Sequence, residues 1–266
     1  MNYRNKFLIT ITGTLNSPWD ANWKECIDTW GKELLAKGYN LKVVIGDELL
    51  LSEYQVEGNY LKVRCSDAKV GLVEKALISN KWFLENTNCE YHVRVDSDTY
   101  VDPNRFDEWC KEIITQYEVD YLGCVLPYSF PIDMPLRYHH VTDGRLIAGA
   151  LYFLSRKASR IFTDCFTEEF LVDPEYSVEE MMGWDDRVVA RVLKSKNVYP
   201  HHDSRVMFDS HFNTTQLGAK MLNWNTGELI MRPRFITDDS PMGEIIVAQH
   251  YCDGHMKEIQ EEMNSK

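Results

Sequence analysis

Two carboxylates, Asp96 and Asp98, stand one residue apart in the run Val93-Arg94-Val95-Asp96-Ser97-Asp98-Thr99-Tyr100-Val101, at the end of a segment with the composition of a buried strand. Successive side chains of an extended segment point to opposite faces, so a strand that ran on would put both aspartates on one face and Ser97 on the other. Like charges that close need a cation or hydrogen-bond donors to offset them. A hard divalent ion, Mg²⁺ or Mn²⁺, takes oxygen ligands and is commonly shared between one or two carboxylates and the phosphates of a bound nucleotide. The triplet also suits a strand-ending turn, in which Asp and Ser bond to neighbouring backbone.

Other residues carry charge in patterns that chemistry can use. Asp185 and Asp186 open a helical pattern, where first-turn acids complement the helix dipole. Residues 187–205 hold Arg187, Arg191, Lys194, Lys196, Arg205, His201 and His202 against one acid, Asp203. Such a stretch is either a solvated helix face or a neighbour of an anionic ligand.

The elements that position these groups read as alternating strands and helices. Residues 7–12 form a β-branched run closed by Gly13, residues 23–35 have helical spacing, and residues 41–46 read as a second strand. Residues 70–85 read as a long amphipathic helix, with apolar Val70, Val73, Leu77 and Phe83, leading into the strand that ends at the aspartates. This order predicts an α/β fold with a mostly parallel central sheet flanked by helices, in which ligands collect at the carboxyl ends of strands. Thr12-Gly13-Thr14 and Asp96-Ser97-Asp98 both lie at such ends. Residues 106–117 read as a helix, 121–125 as a strand, 127–135 as a proline-rich loop, 145–155 as an apolar strand, and 156–166 and 185–194 as helices. Gly149, inside the apolar strand, marks a bulge or a close approach of backbone or ligand.

Size and composition narrow the class. The chain has 266 residues, 44 % of them hydrophobic, enough for a large core without a stabilising cofactor. Its seven cysteines form no Cys-x-x-Cys pair and read as reduced, mostly buried thiols of a cytoplasmic protein. No apolar run is long enough for a membrane span. A formal charge of -12 opposes a general nucleic-acid binder. No repeat or linker interrupts the pattern, so one domain is expected.

Taken together, these segments resemble glycosyltransferases of the GT-A fold, and most of all the Fringe and β3-galactosyltransferase group. That group combines an Asp-x-Asp motif followed by an aromatic residue and Val, a small-residue aromatic strand ending in Ser, an acidic pair before a helix, and an apolar-x-Ser-His element. Here these are 96–101, 148–155, Asp185-Asp186 and Phe208-Asp209-Ser210-His211, in family order. The chain departs from the family in carrying Asp-Ser-Asp for three consecutive acids and Ala148-Gly149 for two glycines, and in lacking the N-terminal anchor of membrane-bound relatives. The tail, His250-Tyr251-Cys252-Asp253-Gly254 with Lys257, is similar to that of the glycogenin branch. That branch retains anomeric configuration, whereas the Fringe-like group inverts it.

The resemblance implies a single GT-A-like catalytic domain, with residues 1–125 as the nucleotide-sugar half and 126–266 as the acceptor and catalytic half. Asp98 is then the principal ligand for Mn²⁺ or Mg²⁺, Asp96 a second ligand or a partner of the donor ribose, and His211 the third ligand, with His250 as its rival. Asp186 is the general base of an inverting transfer. Thr12, Gly13, Asp67 and Lys75 are expected along the donor nucleotide, a UDP-sugar, and Gly149, Trp184 and Asp185 along the acceptor. The expected acceptor is a saccharide hydroxyl. A viral or phage enzyme that glycosylates hydroxymethylated or glycosylated DNA bases is a second reading, favoured by the basic stretch and opposed by the net charge. A non-catalytic sugar-binding protein of the same fold is a third.

Overall fold

The computed structural model of the protein describes residues 2–116, 118–126, 138–140, 146–203, 206–207, 248–249, 256–257 and 260–261. Strand β1 (Phe7–Thr12) leads to α1 (Asp20–Cys26), which passes through a π turn (Ile27–Gly31) into α2 (Lys32–Lys37). Gly38, with φ 92°, ends α2 in the left-handed conformation that glycine adopts without strain. Then follow β2 (Asn40–Gly46), a hairpin of β3 (Tyr54–Glu57) and β4 (Tyr60–Val63), α3 (Leu72–Asn86), β5 (Tyr91–Asp96), the short β6 (Tyr100–Val101) and α4 (Pro103–Gln116). The rest comprises β7 (Tyr121–Leu126), β8 (Tyr138–His140), β9 (Leu146–Ser155), α5 (Arg156–Cys165), α6 (Val178–Met182), α7 (Asp185–Ser195), β10 (His201–Asp203), β11 (Val206–Met207) and β12 (Ala248–Gln249).

A nine-stranded sheet runs in the order β3-β4-β2-β1-β5-β9-β7-β10-β8. Strands β4, β2, β1, β5, β7 and β10 point one way, and β3, β9 and β8 run against them. The mostly parallel α/β sheet expected from the sequence is present, with antiparallel β9 inserted at its centre. That insertion matters, because β9 delivers its residues to the carboxyl end of β5 from the opposite direction.

Both faces of the sheet are covered. Phe7, Ile9 and Ile11 of β1 pack with Trp30, Leu34, Phe106, Trp109 and Phe153 on one side, and Leu8 packs with Val44, Trp82 and Phe83 on the other. Two-sided burial explains why β1 reads as a continuous apolar run rather than an alternating one. A third cluster joins β9 to α5 and α7 through Tyr152, Leu154, Phe162, Val188 and Val192. One polar string crosses the α3 side: His92 lies 2.8 Å from Thr10 Oγ1 and 2.9 Å from Asn80 Oδ1. Burial, with Arg94 adding to it, pushes His92 down to about 3, so the ring stays neutral.

A small second sheet, β11-β12-β6, pairs Gln249 with Tyr100 just beyond the two aspartates. Among the described residues, Cys26, Cys65, Cys89, Cys110 and Cys124 are buried free thiols and Cys165 is a half-buried one. Among the same residues, no helix is long and apolar enough to cross a membrane.

Candidate active site

Strand β5 ends at Asp96 in a true turn. Thr99 N donates to Asp96 O (3.2 Å), Cys26 Sγ to Ser97 O (3.0 Å), Trp30 Nε1 to Thr99 O (3.1 Å) and Thr99 Oγ1 to Ala150 O (3.1 Å). The turn is therefore pinned from α1, from the π turn and from β9, and Asp96 and Asp98 emerge half-buried from a fixed backbone.

Arg94 organises what lies beneath. Its side chain lies on β5, two residues before Asp96, and the residue is only 3 % exposed. Nη1 sits 2.6 Å from Asp96 Oδ1 and also donates to the Gly149 carbonyl, while Nη2 reaches Asp185 Oδ1 at 2.9 Å. Asp185 Oδ2 accepts the Tyr152 hydroxyl at 3.0 Å. Asp186 accepts the Gly149 N–H at Oδ2 (3.1 Å) and the Arg187 N–H at Oδ1 (2.7 Å). Gly149 is the meeting point. A Cβ there would lie 3.0 Å from both Arg94 Nη1 and Asp96 Oδ2 and 3.6 Å from Asp186 Oδ2, so the carboxylate of β5 and the acidic pair of α7 share one pocket.

Three carboxylates around one guanidinium do not ionise independently. Loss of water around Asp186 raises its carboxyl from 3.8 to about 7, the Asp185 charge adds to the rise, and Arg94 opposes it. Burial also raises Asp185, against the pull of Arg94 beside it. Burial pushes the Tyr152 hydroxyl well up, so it remains a donor to Asp185. The pair thus differentiates: Asp185 is held by a cation and a hydroxyl, whereas Asp186 is poised near neutrality, as proton transfer requires.

The other expected site residues divide by what they touch. Thr12 is the direct strand partner of Asp96, which places the end of β1 beside the pocket. Gly13 rests on the core, where a Cβ would come within 2.9 Å of Val43 Cγ1 and 3.0 Å of the Trp23 ring. Lys75, 2 % exposed, donates to Gly13 O (2.8 Å), Asp67 O (3.3 Å) and Asp67 Oδ1 (2.8 Å). Asp67 in turn accepts from Gly46 N (2.8 Å), Leu15 N (2.5 Å) and Thr14 Oγ1 (2.9 Å). With its donors engaged by protein acceptors, Lys75 shapes the loop after β1. Trp184 caps α7 with Tyr176 edge-on at 4.6 Å and the Arg187 guanidinium 4.6 Å over its ring. His211, His250 and the 127–135 loop lie outside the described residues.

Of the basic stretch, Arg191 is spent on Asp173 and on the carbonyls of Phe170 (3.1 Å) and Val172 (3.0 Å), and Lys194 closes the last turn of α7. Arg187 follows the acidic pair, with its guanidinium against the Tyr176 and Trp184 rings. Among the described residues no group of three or more His, Cys, Asp or Glu is gathered as a metal centre. Asp96 and Asp98 still offer the hard oxygen donors that Mg²⁺ or Mn²⁺ selects, with one oxygen of Asp96 already held by Arg94.

Sequence reasoning passed over Arg94 and Tyr152. Their signal was available: a charged residue inside a strand buried on both faces is costly unless paired, so Arg94 called for acids on another element. No family model matches the chain, and no curated protein matches it. Among solved structures it is similar to a glycosyltransferase involved in the glycosylation of the major capsid of PBCV-1, at 12 % identity and a TM-score of 0.47, over 97 % of this chain and 100 % of that one.

Proposed function

We propose that the protein is a metal-dependent glycosyltransferase of GT-A type that moves a sugar from a UDP-sugar to a saccharide hydroxyl with inversion, Asp186 being the general base. The observation that carries this reading is the junction at Gly149, where Asp96 of the Asp-x-Asp turn and Asp186 of the acidic pair lie either side of one glycine. A transferase needs a place for a nucleotide diphosphate and a base for the acceptor within one sugar's reach of each other. Asp98 and Asp96 would hold Mn²⁺ or Mg²⁺, which supplies charge stabilisation to the leaving diphosphate.

The chain's own groups do the rest. Thr12 and Gly13, beside Asp96, line the donor side, and the Asp67–Lys75 pair keeps their loop in place. Asp186 Oδ2, oriented by the Gly149 N–H, takes the proton from the acceptor hydroxyl as it attacks the anomeric carbon. Asp185 is fixed by Arg94 and Tyr152 next to Asp186, and negative charge on it favours the protonated product of that step.

Calorimetric titration with UDP, with and without Mn²⁺, and with GDP and CDP as controls, tests the reading. Selective, metal-dependent UDP binding that Asp98→Ala abolishes is expected, and Asp186→Asn should retain binding while losing transfer. Absence of nucleotide binding under every condition would sink the proposal.

A further inference from the structure

Around Trp184, two residues before Asp186, the structure holds two cations that no acid among the described residues answers. The Arg187 guanidinium lies in the corner between two perpendicular rings, 4.6 Å from Tyr176 and 4.6 Å from Trp184, which meet each other at 83°. The Lys69 ammonium lies 5.9 Å from the same Trp184 ring, its stem passing over Gly183, where a Cβ would come 3.2 Å from Lys69 Cγ. Among the described residues neither side chain makes an ion pair or a hydrogen bond. Both therefore share one aromatic platform, in a chain whose net charge is -12 and which pairs Arg94 and Arg191 with acids close by.

Contact with ring faces holds a guanidinium without neutralising its charge. Two charges that are left without an acid, near the positive end of α7, can answer an oxyanion. Arg187 comes one residue after the carboxyl that faces the acceptor hydroxyl.

We propose that Arg187 and Lys69 form an acceptor subsite for an anionic substituent, a phosphate or a carboxylate, on the saccharide. This rests on the reading of Asp186 as base. The surroundings favour a compact anion over a nucleic-acid backbone. Residues 168–180, which lead into α6 beside the platform, carry Glu168, Glu169, Asp173, Glu175, Glu179 and Glu180 and no basic residue, and so repel an extended polyanion.

The test is a titration of the full chain, saturated with UDP and Mn²⁺ so that the donor side is filled, with glucose, glucose 6-phosphate and glucuronate. At least one charged sugar should bind about tenfold or more tightly than glucose, the scale of a charge-assisted hydrogen bond. Lys69→Met, at an exposed position, should lose part of that preference, and Lys69→Met with Arg187→Met should lose all of it. Preference for glucose 6-phosphate alone identifies phosphate, and preference for both charged sugars identifies anions in general. A chain that binds UDP but takes all three sugars equally, or none, overturns the subsite and leaves the transferase reading standing. Failure to bind UDP overturns the transferase reading itself. Tighter, salt-dependent binding of a DNA duplex than of glucose 6-phosphate would overturn the saccharide assignment.

Discussion

Arg94 and Asp185, 91 positions apart in the sequence, meet at 2.9 Å, and the same guanidinium holds Asp96 at 2.6 Å. One buried cation therefore joins the turn after β5 to the first turn of α7. Removing it leaves Asp96 and Asp185 without their shared cation, with the Tyr152 hydroxyl still donating to Asp185, which costs more than the pair itself contributes. Arg94→Met should destabilise the protein by about 3–5 kcal/mol in urea unfolding. Arg94→Lys should recover only part of this, because a single ammonium cannot bridge both acids as a planar fork does. A methionine variant within about 1 kcal/mol of wild type would show that the bridge carries no structural weight.

Asp186 gives a pH dependence with a definite sign. Its carboxyl titrates near 3.8 when unfolded and about 7 when folded. Because the folded value is the higher, the stability it contributes is fully present below 3.8 and is lost as pH rises through about 7. Asp186→Asn keeps an acceptor for the Gly149 N–H and removes that loss, so thermal melts should show the variant more stable than wild type at about pH 8 and similar to it at about pH 4. With Asp186 in the proposed role of base, transfer by the wild type should rise with pH through about 7. A rate that is flat across that range would detach Asp186 from the proton step.

The strands and helices that build the pocket were legible because their signals are local. Strand β1 runs from Phe7 to Thr12 as the apolar run implied, and α7 begins at Asp185 as the acidic pair implied. The β3–β4 hairpin was not legible, since most of β3 is exposed and shows no apolar alternation. Gly149 was expected to mark either a bulge or a close approach, and what approaches it was not legible. Arg94, Asp96 and Asp186 converge there only because β9 enters the sheet antiparallel beside β5. Lys75 shows the converse, since it was expected along the donor nucleotide, whereas the fold surrounds it with Asp67 and backbone carbonyls.

That burial makes Lys75 separable from a ligand contact by experiment. Lys75→Met keeps the stem and removes the ammonium from Gly13 O and from Asp67. Asp67 retains donors from Gly46, Leu15 and Thr14, so the loss should fall near the low end for a broken buried pair, about 3 kcal/mol. UDP affinity, measured where the variant is still folded, should fall less than tenfold. A variant of wild-type stability that no longer binds UDP would make Lys75 a ligand contact instead.

Gly149 is a demanding position for the site, because the side chains around it are tied to one another. Arg94 is buried and held at both ends, and Asp96 is tied to it, so a Cβ placed 3.0 Å from each forces the bridge to move as a unit. Gly149→Ala should cost about 1–3 kcal/mol through overpacking. Its larger effect should be on chemistry. A misplacement of about 1 Å costs on the order of 10²-fold in rate when geometry sets the barrier, and the smaller displacement that a 3.0 Å contact demands should cost part of that. The loss should appear in kcat, and metal-dependent UDP affinity should fall with it, since the new methyl group presses on Asp96, one of the two proposed metal ligands. A Gly149→Ala enzyme with wild-type kcat would mean that Asp96 and Asp186 act in separate pockets, and the junction would lose its part in the reaction.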